Sequence, residues 1–390
     1  MKYLQNIMLS KRVRDPFVHF IFACAGIFFT TIVYAQSDAL EDSSQMSDNA
    51  EHSLLMDISK TESKLIAVGE RGHIVYQNAG SNEWLQAQVP VRVTLTSTFF
   101  IDDLHGWAVG HDGVVLSTTD GGEQWQKLLD GIAVNKMMIN HGEKLLESTL
   151  KAIEVAGDDE LDELNEALEN WQFFVDDAYA FSDEGASRPF LDVWFQNKNE
   201  GFVVGAFGLI LRTVDAGKSW TPWTEKLNNF DGFHLNAIEQ IGDDLYIAAE
   251  AGTLFRSIDK GQTWQSLESP YEGSFFGIVG HSDKTLIAFG LRGNAYISYD
   301  KGIDWEKINT SVESSLYGGH TINENQFVLV GAGGAILHID NKGQVIKSHT
   351  SQYKLPISSV ITETAINGKP SRLIISGIGG IQTINQVSKG

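Results

Sequence analysis

Residues 107–125 read WAVGHDGVVLSTTDGGEQW, two short apolar runs joined by a glycine turn and followed by a loop that closes on a tryptophan. The same pattern recurs along the chain, and one turn glycine marks each copy: Gly72, Gly113, Gly208, Gly252, Gly293, Gly334 and Gly380. These glycines lie 41 to 46 residues apart, except for one interval of 95 residues. Short apolar strands repeating at this spacing are typical of propeller blades with about four strands each. The sequence therefore predicts an all-β fold, a seven-bladed β-propeller.

Four of the repeats end in the motif Ser/Thr-x-Asp-x-Gly-x-x-Trp, known as an Asp box. Its acids and tryptophans are Asp120, Asp215, Asp259, Asp300, Trp125, Trp220, Trp264 and Trp305. A catalytic group is needed once, whereas these carboxylates recur at one equivalent position. We therefore interpret them as structural acceptors of backbone N–H groups, with the tryptophan filling the gap between blades. Catalysis or metal binding by the carboxylates is the alternative. The first repeat has Ala79 where the acid is expected, and the sixth has Asn341.

The 390 residues carry a formal net charge of −21. The length suffices for one propeller with a large buried core and requires no second domain beside it. A nucleic-acid partner is excluded by the charge, because a polyanion would be repelled. We expect residues 53–390 to form the propeller.

Residues 1–35 have the composition of a secretory signal peptide. Basic residues precede an apolar stretch over 17–33, and Ala35 offers a small residue at the cleavage position. An uncleaved N-terminal anchor is the alternative. Cys24, the one cysteine of the sequence, lies within this apolar stretch, so the mature chain is predicted to lack disulfides. The polar, acidic residues 36–52 are expected to form a flexible leader.

The interval of 95 residues contains an insertion over residues 131–188, after blade two. Leu161, Leu164, Leu168 and Trp171 recur with the period of one helix face, and 157–159 separates them from an earlier helical stretch. This pattern predicts an inserted α-helical hairpin with an acidic polar side. A cation site is conceivable there, but the ligand spacing of a calcium loop is missing. The seventh repeat has no tryptophan-bearing fourth strand, and the sequence leaves open how the ring is closed.

The repeated pattern G-[WF]-[AV]-V-G-x-x-G-x-[IV]-L-x-T-x-D-x-G-x-x-W resembles the photosystem II stability and assembly factor family, most closely over 106–125 and 201–220. The resemblance covers essentially the whole mature chain. It implies a non-enzymatic, monomeric scaffold, exported to a periplasmic or thylakoid-lumen-like compartment, without metal or cofactor. The implied partner is a membrane protein subunit or envelope complex, either a photosystem subunit or an exporter component. The helical insertion departs from the compact pattern of the photosynthetic members.

The family's binding surface is rich in arginine at turn and strand positions of the repeats. Two repeats have an arginine immediately before the repeat glycine, Arg71 and Arg292. Two other repeats have an arginine four residues after it, Arg212 and Arg256. The resemblance implies that these arginines bind the partner, and a patch of four could bind a carboxylate or an acidic peptide end. Pairing of each arginine with a nearby acid is the alternative.

The competing function is that of a sialidase-like or other glycoside hydrolase, because such enzymes also carry Asp boxes. Their chemistry requires an arginine triad for the substrate carboxylate, a tyrosine nucleophile with its glutamate, and an acid/base aspartate. The Arg-Ile-Pro signature of sialidases is absent from the sequence. We therefore expect no catalytic residues.

Overall fold

A computed structural model describes residues 38–281, 284–363 and 372–385. The predicted signal peptide, residues 1–35, lies outside the described residues. The described residues from 38 onward belong to one compact unit. Every sheet of the described chain is an antiparallel meander in which strands that follow one another in sequence are paired neighbours.

The first four blades have four strands each. Blade one consists of β1–β4, spanning Leu55–Lys60, Lys64–Gly69, Ile74–Asn78 and Leu85–Gln86. Blade two consists of β5–β8, spanning Leu95–Phe100, Gly106–Gly110, Val115–Thr118 and Gln126–Leu129. Blade three consists of β9–β12, spanning Phe190–Phe195, Gly201–Gly205, Ile210–Thr213 and Thr221–Pro222. Blade four consists of β13–β16, spanning Leu235–Ile241, Asp244–Ala249, Leu254–Ser257 and Gln265–Ser266.

The remaining three blades complete the predicted number of seven. Blade five consists of β17–β20, spanning Phe275–Gly280, Leu286–Gly290, Ala295–Ser298 and Glu306–Lys307. Blade six consists of β21–β24, spanning Leu316–Asn323, Gln326–Gly331, Ala335–Asp340 and Val345–Thr350. Blade seven has three described strands, β25–β27, spanning Ile357–Glu363, Arg372–Gly377 and Gln382–Asn385.

The hydrophobic core is divided among the interfaces between blades. Each of the seven neighbouring pairs of blades shares its own cluster of buried side chains within the described structure. Inner strands are buried on both sides because a sheet lies against each face, which explains their nearly continuous apolar sequences. The strand β6 is buried throughout. Burial of this area is the main source of stability, at roughly 25 cal/mol per Å² of apolar surface.

The ring closes by side-chain packing and main-chain hydrogen bonding, with no strand exchanged between the chain ends in the described residues. The buried residues Ile361 and Ile374 of blade seven pack with Leu55 and Ile58 of blade one. The amide of Ile381 also donates a hydrogen bond to the carbonyl oxygen of Glu51, which precedes blade one, at a distance of 3.0 Å. All four strands of blade one belong to its own sheet, and none pairs with the described strands of blade seven. The strands β1 and β25 are therefore in contact through their side chains.

The leader differs from the flexible segment expected over 36–52. From residue 38 onward it lies against blades one and two, where Leu40 is buried in their shared cluster. The amide of Ser44 donates to the carbonyl of Val89, and the amide of Arg92 donates to the carbonyl of Ala39. The side chains of Glu41 and Lys127 also form an ion pair, 2.7 Å apart. Composition alone does not reveal these contacts, because main-chain bonds, one buried leucine and ordinary surface charges hold an otherwise polar segment.

The inserted hairpin is confirmed. Its helices are α1, Gly131–Ile153, and α2, Leu161–Glu184. The carboxylate of Asp130 caps α1 by accepting a hydrogen bond from the amide of Ala133. Val134 of α1 and Ala178 of α2 are buried in the cluster shared by blades two and three. Neither helix combines the length and apolar character that a membrane crossing requires, and no other helix of the described ranges does.

Candidate functional site

The four Asp-box carboxylates bind their own turns. In blade four, Asp259 Oδ1 accepts the amide of Thr263 at 2.9 Å and the hydroxyl of Ser257 at 2.8 Å, while Oδ2 accepts the hydroxyl of Thr263 at 2.6 Å. The Asp215 carboxylate accepts equivalent bonds from Ser219. Asp120 and Asp300 each accept two successive amides of the turn. All four carboxylates thus accept hydrogen bonds from their own turns.

The same hydrogen bonds lower the pKa of these acids. Partial burial alone would raise the pKa of Asp120, Asp259 and Asp300, but the bonds donated by their turns outweigh it, so each pKa is lower than usual. For Asp215, the bonds from Ser219 are the largest cause of the lowered pKa. A carboxylate held ionised by its own turn is a poor general acid. The Asp-box carboxylates are thus acceptors within their own turns.

The box tryptophans pack toward the preceding blade. Trp125 is buried with side chains of blades one and two, and Trp220 with side chains of blades two and three. Trp264 is partly buried against the cluster shared by blades three and four, and Trp305 against the cluster shared by blades four and five. The indole N–H groups of Trp125 and Trp305 donate to the glycine carbonyls of their own boxes, at 3.0 and 3.1 Å. Those of Trp220 and Trp264 have no hydrogen-bond partner in the described structure.

Blade six contains a box acid that the repeat alignment misses. Although Asn341 occupies the aligned position, the preceding residue, Asp340, accepts the amides of Lys342 and Gln344 at 3.0 and 2.8 Å. The acid is shifted by one residue and still satisfies two turn amides. An alignment on residue type at fixed spacing cannot detect this shift, but the acid immediately before Asn341 was a visible signal.

The propeller has two faces with different turns. Because successive strands of a meander run in opposite directions, the turns between second and third strands lie on one face, and the Asp boxes lie on the other. We call the first the turn face, defined by the residues that precede the repeat glycine in blades one to six: Arg71, Asp112, Phe207, Ala251, Arg292 and Gly333. All six have left-handed φ angles, between 52° and 65°. This conformation makes a tight connection between the two strands.

The four arginines do not form a single patch. Arg71 and Arg292 are exposed on the turn face, in blades one and five, and no ion pair of the described residues includes either side chain. Arg212 and Arg256 lie further along the third strands, toward the Asp-box face. Arg256 Nη2 is 2.7 Å from Asp244, and Arg212 lies 3.5 Å from Glu200 and over the ring of Trp223. Pairing with an acid of the same blade is thus the arrangement found for two of the four.

The first strands of all seven blades line a central channel with a volume of about 840 Å³. Its walls carry the acidic residues Asp57, Asp192 and Glu239, from blades one, three and four. The hydroxyl of Ser97 in blade two lies 2.6 Å from Asp192 and 3.4 Å from Asp57. The amide of Thr98 donates to Asp57, and that of Ile238 donates to Asp192. This network joins four consecutive blades.

The channel environment favours the protonated form of these acids. Burial raises the pKa of Asp57 and raises that of Asp192 to about 7, despite the hydrogen bonds that both accept. Burial and then repulsion from Asp192 raise the pKa of Glu239 to about 8. The Glu239 side chain itself is exposed to the channel. Asp57 and Asp192 occupy equivalent positions on their first strands, paired with Val68 and Val204, whereas Glu239 lies two residues further along β13. The sequence repeats align on the turn glycine and the Asp box, and this alignment does not extend to the first strands.

No group of three metal-ligating side chains is assembled anywhere in the described ranges. No arginine is among the described residues that line the channel. The geometry therefore provides repeated turns, a channel lined by acids of raised pKa, and two faces with exposed loops, which is the form of a binding scaffold.

These features define the class of protein: an Asp-box β-propeller with seven blades. Within this class, residues 76–158 and 182–345, more than half of the chain, match the family model described as photosynthesis system II assembly factor YCF48. The chain belongs to that family.

Two curated relatives match over short segments. The photosystem II assembly lipoprotein Ycf48 of Synechococcus sp. (strain CC9902) is 36% identical over 77 residues, which are 20% of this chain and 23% of the relative. The photosystem II assembly protein Ycf48 of Thermosynechococcus vestitus is 40% identical over 45 residues, 12% of this chain and 13% of the relative. The chain thus aligns with less than a quarter of the length of either relative.

Solved structures resemble the whole propeller. A structure titled YCF48 bound to D1 peptide has a TM-score of 0.56 at 15% identity, covering 89% of this chain and 97% of its own. YCF48 from Cyanidioschyzon merolae gives 0.56 at 12% identity, covering 88% and 98%. The WD40 propeller domain of Doa1 gives 0.58 at 12% identity, covering 90% and 97%. At such identities these likenesses establish the fold.

Proposed function

We propose that this protein is an exported, non-enzymatic propeller that serves as an assembly factor or interaction scaffold for a membrane protein complex. The observation that carries the proposal is the family match over more than half of the chain. Two relatives are named photosystem II assembly proteins, and one solved neighbour is titled as bound to D1 peptide. By analogy, the partner of this chain is a segment of a membrane protein, from a photosystem or from an exporter.

We place the partner contact on the turn face. Arg71 and Arg292 are exposed there, and the hairpin lies over the same face at blade three, where Phe181 of α2 packs 4.9 Å from Phe207. Unpaired guanidinium groups remain available for carboxylates or carbonyls of a partner. Arg212 and Arg256 are already engaged with acids, so we assign them to the stability of their blades.

The site of action is proposed to be a periplasmic or thylakoid-lumen-like compartment, with the protein monomeric and close to the membrane. The signal-like sequence over 1–35 supports export, and the name lipoprotein given to one relative supports an exported, membrane-associated protein. The hydrolase alternative finds little support. A sialidase-like site requires arginines beside its acids, and the described channel wall provides none.

The test is capture of a membrane protein from detergent-solubilised membranes by the tagged protein, followed by identification of what is bound. A photosystem subunit or an exporter component in the eluate supports the scaffold function. If no membrane protein is enriched over an unrelated propeller, the proposal is wrong, and hydrolysis of glycan substrates becomes the function to assay.

Charge reversal distinguishes the two faces. We expect the double variant Arg71→Glu/Arg292→Glu to lose at least ten-fold in capture while folding normally. The matched control is Lys218→Glu/Lys260→Glu, which makes the same charge change at exposed turns of the Asp-box face. If both double variants lose capture equally, the effect is one of net charge, and the assignment to the turn face fails.

A further inference from the structure

A groove on the turn face lies between α2 and the loops of blade three. It has a volume of about 70 Å³, several times the space that one water molecule needs. We call it the hairpin groove, and its aromatic walls are Trp171, Phe173, Phe174, Phe181, Phe207 and Phe230. Trp171 meets Phe174 and Phe230 edge to face, with ring centroids 6.0 Å apart in each case. The groove can therefore accept one apolar side chain.

Several of these aromatic side chains are exposed together. Phe173 is 63% exposed, Phe230 54% and Phe207 48%. Phe207 is one of the turn-face residues with left-handed φ, so its ring is held outward by the tight turn. Exposed aromatic rings grouped around one groove are unfavourable in water unless a partner covers them. Such a group marks an interaction surface.

The groove also contains polar atoms that lack partners. Arg188 is 5% exposed, and its Nη2 donates to Asn135 at 2.9 Å, but its buried Nε has no hydrogen-bond partner in the described structure. The buried hydroxyl of Thr224, on another wall of the groove, is also unpaired. Both groups can donate to the carbonyl oxygens of a peptide. The groove thus offers main-chain recognition beside an apolar socket.

The charge of the surroundings selects the kind of peptide. Residues 131–188 contain 14 Asp and Glu residues but 4 Lys and Arg residues. Asp177 and Asp231 lie on the groove wall itself. A segment with acidic residues beside its apolar anchor would be repelled, whereas lysine or arginine at those positions is attracted.

We propose that the hairpin groove binds an extended basic segment of a partner protein. One leucine-sized side chain of the segment enters the groove beside the packed rings of Trp171 and Phe230. A carbonyl oxygen accepts a hydrogen bond from Arg188 Nε, and flanking lysines or arginines face the acidic hairpin. This inference rests on the proposed function, because it assigns the scaffold a surface and its partner a sequence type. The anchor is apolar, as in other peptide-recognition grooves, and the basic flanks determine specificity.

The test uses three dye-labelled, capped heptapeptides and fluorescence anisotropy with the purified protein. The probes are Gly-Lys-Lys-Leu-Lys-Lys-Gly, a version with Glu for each Lys, and a version with Ser for Leu. We expect the first to bind at least ten-fold more tightly than either of the others, and to weaken as salt is raised. Equal affinities for the three probes would overturn the proposal.

Two variants locate the binding. Phe230→Ser and, independently, Phe173→Ser should each weaken binding of the first peptide at least ten-fold, and their large exposure means that folding is retained. The matched control is Tyr353→Ser, which removes an aromatic ring that is 63% exposed outside the groove, and it should bind as the wild type does. Undiminished binding by both phenylalanine variants would place the peptide elsewhere and contradict the inference.

The remaining outcomes also separate the hypotheses. A concentration-dependent dimer in sedimentation that disappears in Phe230→Ser would assign the groove to a second copy of the chain, against the proposal. Capture of a membrane protein without peptide binding would leave the proposed function intact and refute this inference. Peptide binding at the groove without any captured membrane protein would support this inference and refute the proposed function.

Discussion

The substitution Asp259→Ala tests the structural role of the Asp boxes most directly. It removes the acceptor of three hydrogen bonds, two from Thr263 and one from the hydroxyl of Ser257. The Thr263 groups reach solvent and can bind water instead. Ser257 is 1% exposed, so its hydroxyl loses an acceptor that water cannot replace.

The expected loss of stability follows from that difference. An unsatisfied buried hydroxyl costs about 1–3 kcal/mol, and the exposed bonds add little. Unfolding entropy is about 2.1 cal/mol/K per residue, or roughly 0.7 kcal/mol/K for a chain of this size. We therefore expect the melting temperature to fall by about 1.5–4 °C, with peptide and partner binding unchanged.

The measurement is thermal unfolding followed by tryptophan fluorescence, with Asp243→Ala as the control. Asp243 is an exposed acid in the same blade, and no hydrogen bond of its side chain is found in the described structure. Equal midpoints for the wild type and Asp259→Ala would refute the turn role, as would an equal shift in the control.

The pH dependence gives a second check on the same variant. Burial raises the pKa of Asp259, but hydrogen bonds led by those of Thr263 outweigh it and lower the pKa overall. The stability from this carboxylate is therefore present above the unfolded pKa and is lost as pH falls through the folded value. The difference between wild type and variant should narrow below about pH 4.

Three further predictions concern other parts of the molecule. Glu239→Gln should stabilise the protein against urea at pH 9 and have little effect at pH 5. The reason is that an acid whose folded pKa is raised to about 8 makes the folded state less stable as pH rises toward that value. The same difference between the urea midpoints of wild type and variant at both pH values would contradict this. Gly80 and Gly261 have φ of 82° and 83°, so alanine at either is strained by about 1–2 kcal/mol. Gly261→Ala should cost about 1–3 kcal/mol more, since its Cβ would lie 2.5 Å from Phe202 whereas no described atom lies within 4 Å at Gly80; equal urea midpoints would refute the clash. Asp130→Ala should destabilise by about 1 kcal/mol in thermal unfolding and Asp130→Asn by less, because asparagine also caps helices.

Local sequence patterns were sufficient for the blades and the hairpin. Each blade is a meander of neighbouring strands, so its apolar runs, turn glycines and Asp boxes lie within about forty residues of one another. The same holds for the helices, whose periodicity and break at 157–159 are local. Interactions of short range leave a signal in short stretches of sequence.

The position of the leader and the closure of the ring were not predictable in this way. The leader is held by contacts such as that of Leu40, which packs with residues of blades one and two. Closure joins Ile381 to the residues before β1, over 300 positions apart. Neither set of contacts requires a distinctive residue type, because it consists of main-chain hydrogen bonds, aliphatic side chains and ordinary ion pairs such as that of Glu41 with Lys127.

The sequence by itself determined that this chain is a seven-bladed Asp-box propeller with a helical insertion, because the repeats and their turns are encoded locally. Tertiary structure alone decided what the surfaces contain. It divided the four arginines between two faces, brought Asp57, Asp192 and Glu239 to one channel, and set Phe230 against Trp171 of the hairpin. The physical reason is that the curvature of the ring and the direction of each strand decide which residues of different blades lie together. The spacing of residues along the chain does not reveal either property.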